Sequence, residues 1–417
     1  MAVHWYHWCS QQMDALRKAL TAPWRALPIL ALVLASGYAN GDPAGSFDSF
    51  LAALWPNAAA QGIARATFDA AFAGVTADAG VIAAMQREPE YGKPFGAYLA
   101  GLVSPARIAT GLRKSAQWAD TLRAVEQRFA VEPAILVSIW GIESSFGEAR
   151  EHWDVFRSLA TLAQARFQHP YFRNELLSAL QILQEGRIAR RQFLGSWAGA
   201  MGQAQFMPSS YLTYAVDFDG DGGGGRPDIW TSVPDVLASI ANYLQKRGWQ
   251  AGLPWGFEVV VPQGFDYRAS RGSFRDWADR GFGRADGSAF PDAGEAILFF
   301  PSGASGPAFL VTGNFIVLKQ FNNSDAYALA VGQLSDRLRG LGPIRGAWPA
   351  NDFQPSRGER MALQRRLAEL GYKVEDFTGH FDFQLRDDIR QIQRGFAMIP
   401  DGHPSRALLE RIGVHAP

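Results

Sequence analysis

The chain has 417 residues, enough for two or three domains with full cores. Hydrophobic residues make up 47% and charged residues 19%, the balance of a soluble globular protein rather than a disordered or fibrous one. Its 40 basic and 40 acidic side chains cancel, which removes any global field that would steer it onto nucleic acid or anionic lipid.

The first element reads as an address. Arg17, Lys18 and Arg25 precede an apolar run over residues 26–35, and Gly37 and Ala39 put small residues before a signal-peptidase site after Ala39. The run is too short to span a bilayer. A secretory signal peptide is therefore expected over residues 1–39, sending the chain to the periplasm with no integral membrane segment after cleavage. Cys9 lies before the run, so it is not the cysteine of a lipoprotein signal, and the mature chain is left without disulfides.

From about residue 47 to 250 the pattern is helical, with apolar residues at three- and four-residue spacing over 119–129, 133–146, 172–184 and 233–246. The second of these opens on Pro133 and ends at Gly147. Glu143 follows Ile139 by four residues and Leu136 by seven, so it projects from the apolar face. A carboxyl there loses hydration and its neutral form is favoured, as a general acid requires. The helix alone fits equally a Glu paired with a buried Arg. The stretch 195–208 decides between them. It is too glycine-rich for a helix, yet carries Trp197, Met201, Gln203, Gln205 and Phe206. Small residues let a ligand approach the backbone, and glutamines match hydroxyl and acetamido groups.

Next comes an acidic turn. Asp217, Asp219, Asp221 and Gly222 reproduce the first half of a helix–loop–helix calcium loop, but Asp228 stands where the closing Glu belongs. A structural cation and an empty acidic turn are the two readings. The histidines have no metal-ligand spacing. Residues 257–261, 296–300 and 314–318 look like short strands, and a helix returns over about 324–338. Residues 340–357, rich in Gly and Pro, read as a linker with few contacts. Beyond it Leu363, Leu367 and Leu370, then Ile389, Ile392 and Phe396, then Leu408, Leu409 and Ile412 mark a small three-helix module.

Several ordered motifs carry a resemblance. Trp140-Gly141-Ile142-Glu143-Ser144-Ser145-Phe146-Gly147 is similar to the catalytic motif of the lytic murein transglycosylase B family. So are the runs 202–211 (Gly-Gln-Ala-Gln-Phe-Met-Pro-Ser-Ser-Tyr) and 217–222, with Ala241-Asn242-Tyr243 and Asn322-Asn323-Ser324. The likeness spans about residues 45–340. It implies a mainly α, lysozyme-like α+β catalytic domain with a small β-containing subdomain over 40–340. It further implies Glu143 as the sole acid/base, with no cofactor for catalysis, and Tyr98, Ser144, Gln203, Gln205, Tyr243, Asn322 and Tyr327 around the glycan. Phe321 departs from the Tyr or Trp of relatives but keeps a stacking face. The family also points to Asp235 as the partner of Asp217, Asp219 and Asp221 in a structural Ca2+ site.

The activity implied is cleavage of the β-1,4 bond between N-acetylmuramic acid and N-acetylglucosamine in peptidoglycan, leaving 1,6-anhydromuramic acid. Two alternatives stand beside it: a goose-type-lysozyme-like hydrolase using the same Glu with water, and a non-catalytic wall-binding scaffold. Glu148 and Glu151, beyond Gly147, are expected to be solvated, so no second carboxylate is expected on the Glu143 face. The tail over 355–417, after a linker at 341–354, resembles a small peptidoglycan-binding domain, with Thr378 where that module usually has Asp. Peptidoglycan glycan strands are the expected partner of a monomer, with no nucleic acid.

Overall fold

Helices dominate as far as Lys246, where the three- and four-residue spacing places them. The computed structural model describes residues 46–87, 92–149, 151–166, 169–220 and 225–414. The leader expected over 1–39, together with Asp221 and Gly222, lies outside these residues. The helix Pro133–Ser144 is apolar on nearly every side, with Ile135, Leu136, Val137, Ile139 and Trp140 buried, which makes it a central helix of the main core. Around it pack Pro105–Gln117, Ala119–Phe129, Val233–Lys246 and Asp325–Leu338. Among the described residues no helix is long and apolar enough to cross a membrane.

Among the described residues two small sheets interrupt the helices. Strands β1 (Trp153–Asp154) and β2 (Leu194–Gly195) pair antiparallel, with Trp153 opposite Gly195. Strands β3 (Gly256–Val260), β4 (Arg271–Ser273), β5 (Gly283–Arg284), β6 (Glu295–Phe299) and β7 (Ala308–Val311) form an antiparallel sheet in the order β4-β6-β7-β3-β5. It has its own core of Phe257, Phe274, Trp277, Leu298, Phe300 and Leu310. Residues 314–318 are a correction: they lie in the helix Gly313–Asn322, not in a strand. Four apolar residues in a row, Phe315 to Leu318, fit either period. The local signal is Thr312, whose hydroxyl accepts from the Asn314 N–H and caps a helix that buries Phe315, Val317 and Leu318.

The C-terminal module is three helices, Arg357–Glu369, Phe383–Gly395 and Arg406–Arg411, around Leu363, Leu367, Ile389, Leu408 and Ile412. Leu370 and Phe396, placed on the same faces by spacing, are exposed.

The expected loose linker is also a correction. Asp352 and Gln354 are buried; Asp352 accepts from the Phe95 N–H at 2.7 Å, and Gln354 donates to the Pro301 carbonyl at 3.0 Å. Trp348 stacks on Phe95 with 10° between ring planes. The stretch has no periodicity because it is an ordered strap held by irregular contacts, and composition does not distinguish a strap from a tether. The module itself is docked: Phe383 joins the main core against Phe299, Arg390 donates to the Leu298 carbonyl at 2.7 Å, and Asp401 accepts from the Ala304 N–H at 2.8 Å.

Candidate active site

Glu143 stands in the last turn of the helix Pro133–Ser144, half-buried. The chain then passes through left-handed backbone at three successive residues, Ser145, Phe146 and Gly147 (φ 51°, 61° and 82°). For Phe146 this conformation is strained, and packing compensates: its ring meets Trp140 edge-on at 5.6 Å and is itself buried. Gly147 has no room for a side chain, since an added Cβ would fall 2.4 Å from Gln203 Oε1. The turn reverses the chain tightly and brings the glycine-rich loop against this helix.

Gln203 locks that contact. Its carbonyl accepts from Trp140 Nε1 at 2.8 Å and its amide donates to the Trp230 carbonyl at 2.8 Å. Ser144 donates to the Trp140 carbonyl and accepts from the Gly147 N–H. Expected as substrate contacts, Gln203 and Ser144 have these polar groups engaged in bracing the fold.

Tyr327 is fully buried, and its hydroxyl donates to Glu143 Oε1 at 2.5 Å. Ser324 caps the helix Asp325–Leu338 and sets this first-turn residue in place. A phenol donating to a carboxyl oxygen fixes the rotamer of that side chain. Beside Tyr327 the aromatic rings continue. Phe321 stacks on it with 12° between planes, then meets Tyr243 at 4.9 Å and Phe206 at 5.8 Å. The departure at Phe321 thus keeps its face in use. Tyr243 donates its hydroxyl to the Gln320 carbonyl at 2.8 Å, so its ring is a wall of this cluster. Asn322 is exposed at the end of the helix Gly313–Asn322. Tyr98 lines a narrow cleft with Asn323, Asp325, Gln354 and Phe381.

Gln205 adopts φ 50°, and its amide donates to Glu151 Oε1 at 2.5 Å and to the Gly202 carbonyl at 2.8 Å. Glu151 was expected to be solvated and is instead half-buried. Burial pushes its carboxyl up to about 7, against the lowering effect of hydrogen bonds from Gln205 and Gly202. Sequence spacing misses it because β1–β2 pairing, a contact between distant segments, brings Glu151 to the loop.

The acidic turn gathers Asp217, Asp219 and Asp235, with one carboxylate oxygen of each within 4.8 Å of the others. Burial pushes the Asp235 carboxyl up and its neighbours Asp219 and Asp217 add repulsion, against N–H bonds from Phe218 and Asp228. Asp228 is turned away, capping Trp230 and Thr231. Three carboxylates converging here, Asp235 buried, Asp217 half-buried and Asp219 exposed, are the donor set of a hard cation, so these residues fit a divalent ion.

The transglycosylase SLT domain family profile matches residues 46–336. The chain belongs to this family. Residues 356–412 of the chain match a peptidoglycan binding domain. Over 251 residues it is 32% identical to membrane-bound lytic murein transglycosylase B of Escherichia coli, covering 58% of the chain and 66% of that relative's length. Crystal structures of SltB3 from Pseudomonas aeruginosa, in complex with NAG-anhNAM-pentapeptide and with NAG-NAM-pentapeptide, superpose with TM-score 0.79 at 44% identity, covering 88% of this chain and 100% of SltB3. The Escherichia coli transglycosylase Slt35 in complex with calcium matches at TM-score 0.58 and 26% identity, over 72% of this chain and 93% of that one.

Proposed function

We propose that this chain is a peptidoglycan lytic transglycosylase in which Glu143, held by Tyr327, serves as both acid and base. The observation that carries this is the Tyr327–Glu143 bond beside a wall of aromatic rings, inside a domain of transglycosylase ancestry. Glu143 donates its proton to the glycosidic oxygen between N-acetylmuramic acid and N-acetylglucosamine as the C1–O4 bond breaks. The acetamido carbonyl oxygen of the substrate bonds to C1 in its place. Glu143, now a carboxylate, takes the C6 hydroxyl proton; O6 attacks C1, the acetamido oxygen leaves, and the 1,6-anhydro ring closes. No water enters, and Glu143 ends as it began.

Gln205, Tyr243, Asn322 and Tyr98 are assigned to the glycan path. The likeness to SltB3, solved with an anhydromuramyl ligand, supports the lytic outcome over hydrolysis. The chain acts in the periplasm as a monomer, after removal of residues 1–39, with a catalytic domain over 40–340 and a wall-binding domain over 355–417. Asp217, Asp219, Asp221 and Asp235 hold a structural Ca2+, which would offset part of the negative charge of the acidic turn and take no part in the reaction. The test is mass spectrometry of products from purified sacculi. Fragments lighter by one water than reducing ends support the reading, and reducing ends alone would make the enzyme a hydrolase.

A further inference from the structure

Glu151 is bonded to a residue of the proposed glycan path and takes no part in the mechanism above. Both neighbours of the Gln205 amide group are acceptors: the Gly202 carbonyl, and the Glu151 carboxylate at 2.5 Å. A carbonyl cannot donate a hydrogen bond, and neither can an ionised carboxyl. While Glu151 is ionised, the two hydrogens of the Gln205 NH2 are therefore both committed, and Oε1 is the end left to face a ligand. An exposed glutamine turns its amide to suit either a donor or an acceptor; this one cannot. We infer that Glu151 is a positioning residue that fixes Gln205 as a hydrogen-bond acceptor, so that this point of the cleft selects a ligand N–H or O–H donor such as the acetamido N–H of an amino sugar. The inference rests on the proposed function for its substrate.

Three features support a built arrangement. The β1–β2 pair, with Trp153 opposite Gly195, anchors the segment just after Glu151 to the root of the Gln205 loop. The loop is pinned again by antiparallel bridges from Met201 to Gly195 and to Phe206. Gln205 itself holds a left-handed conformation that a non-glycine residue adopts only when its surroundings impose it. Among the described residues no lysine, arginine or histidine pairs with Glu151, so its hydrogen-bond partners, Gln205 and Gly202, are polar groups of this same loop.

The test is a double-mutant cycle on the full-length protein, with anhydro-product release from a soluble glycan as readout. Glu151→Ala should lower kcat/KM about 10- to 100-fold, the worth of a hydrogen bond to a charged group. Glu151→Gln, which offers an acceptor but also a donor, should recover only part of that loss. In a Gln205→Ala background, Glu151→Ala should add almost nothing. Additive losses would overturn the inference, and so would parent kcat/KM in Glu151→Ala. A Glu151→Ala protein that unfolds passes the decision to Glu151→Gln in the parent and Gln205→Ala backgrounds. If that variant is as impaired as Gln205→Ala while still folded, the acceptor role is wrong. Parent protein that releases no anhydro product fails the proposed function instead, which separates the two outcomes.

Discussion

The Arg386 guanidinium donates to Asp325 at 2.6 Å, with side chains only 5% and 7% exposed. Arg386 belongs to the C-terminal module, while Asp325 opens the helix whose first turn carries Tyr327. Lys319 pairs with the other Asp325 oxygen at 2.8 Å. Desolvation opposes the Asp325 charge, but Lys319 and Arg386 outweigh it and hold the carboxyl well below the usual carboxylate range. The wall-binding module is thereby wired to the residue that orients Glu143.

Removing Arg386 strands a buried carboxylate beside Lys319 alone. Breaking a buried pair in this way costs about 3–5 kcal/mol. Arg386→Ala should therefore lower the melting temperature, and it should slow release of anhydro product from a short soluble glycan by disturbing Tyr327. Deleting residues 355–417 should do both more severely, because it uncovers Phe299 and Phe315, against which Phe383 packs. A truncated protein with parent stability and parent turnover of soluble glycan would show the module to be only a tether.

Glu143→Gln keeps the shape of the side chain and removes its proton. General acid catalysis contributes about 100- to 10,000-fold, and one residue serves both halves of the reaction, so activity should fall by at least that factor with binding to sacculi retained. Tyr327→Phe leaves Glu143 chemically intact but unheld. It should lower kcat about 10- to 100-fold, the worth of a hydrogen bond to a charged group, with KM little changed. Parent kcat in Tyr327→Phe would remove the tyrosine from the mechanism.

Much of this was legible in the chain. The helices over 119–129 and 233–246, Glu143 on its helix and the glycine-rich loop beside it follow from period and composition. What was not legible depends on contacts between distant segments. Glu151 looked solvated because nothing local buries it; β1–β2 pairing does. Gln203 and Gln205 are the same residue type two positions apart, yet one braces Trp140 and the other meets Glu151. Residues 340–357 lack periodicity whether they hang free or strap two bodies together.

Two groups give opposite pH limbs. Burial raises Glu151 from 4.5 to about 7, so its contribution to stability is full below about 4.5 and is lost as pH rises through 7. Activity should run the other way, since only the carboxylate form forces the Gln205 NH2 toward it; kcat/KM should climb through pH 7. Burial lowers His403 from 6.5 to about 4, so its contribution is full above 6.5 and is lost as pH falls toward 4. Melting temperatures across pH 4 to 8 in the parent, Glu151→Gln and His403→Phe proteins should separate the limbs, each variant flattening one. An unchanged pH profile in Glu151→Gln would mean that the group does not titrate in this range.

Calcium should stabilise the fold without entering the chemistry. Asp217, Asp219 and Asp235 crowd like charges into one corner, and a divalent cation relieves that repulsion only in the folded chain. Binding to the native state alone adds about 2.7 kcal/mol at a hundredfold excess over Kd. The melting temperature should rise in millimolar calcium relative to chelator, with turnover of a short glycan the same in both once folded. The three carboxylates are not equivalent. Among the described residues Asp217 accepts from the nearby Gly220 N–H, whereas Asp235 is buried and accepts from the N–H groups of Phe218 and Asp228, tying the loop to the helix Val233–Lys246. Asp217→Asn should thus abolish the calcium-dependent increment and leave stability in chelator near that of the parent. Asp235→Asn should lower stability in chelator as well, because the amide accepts through only one of its two ends. Identical melting temperatures for the parent in calcium and in chelator would mean that the acidic turn takes no cation. A calcium increment that survives Asp217→Asn would put the ion elsewhere.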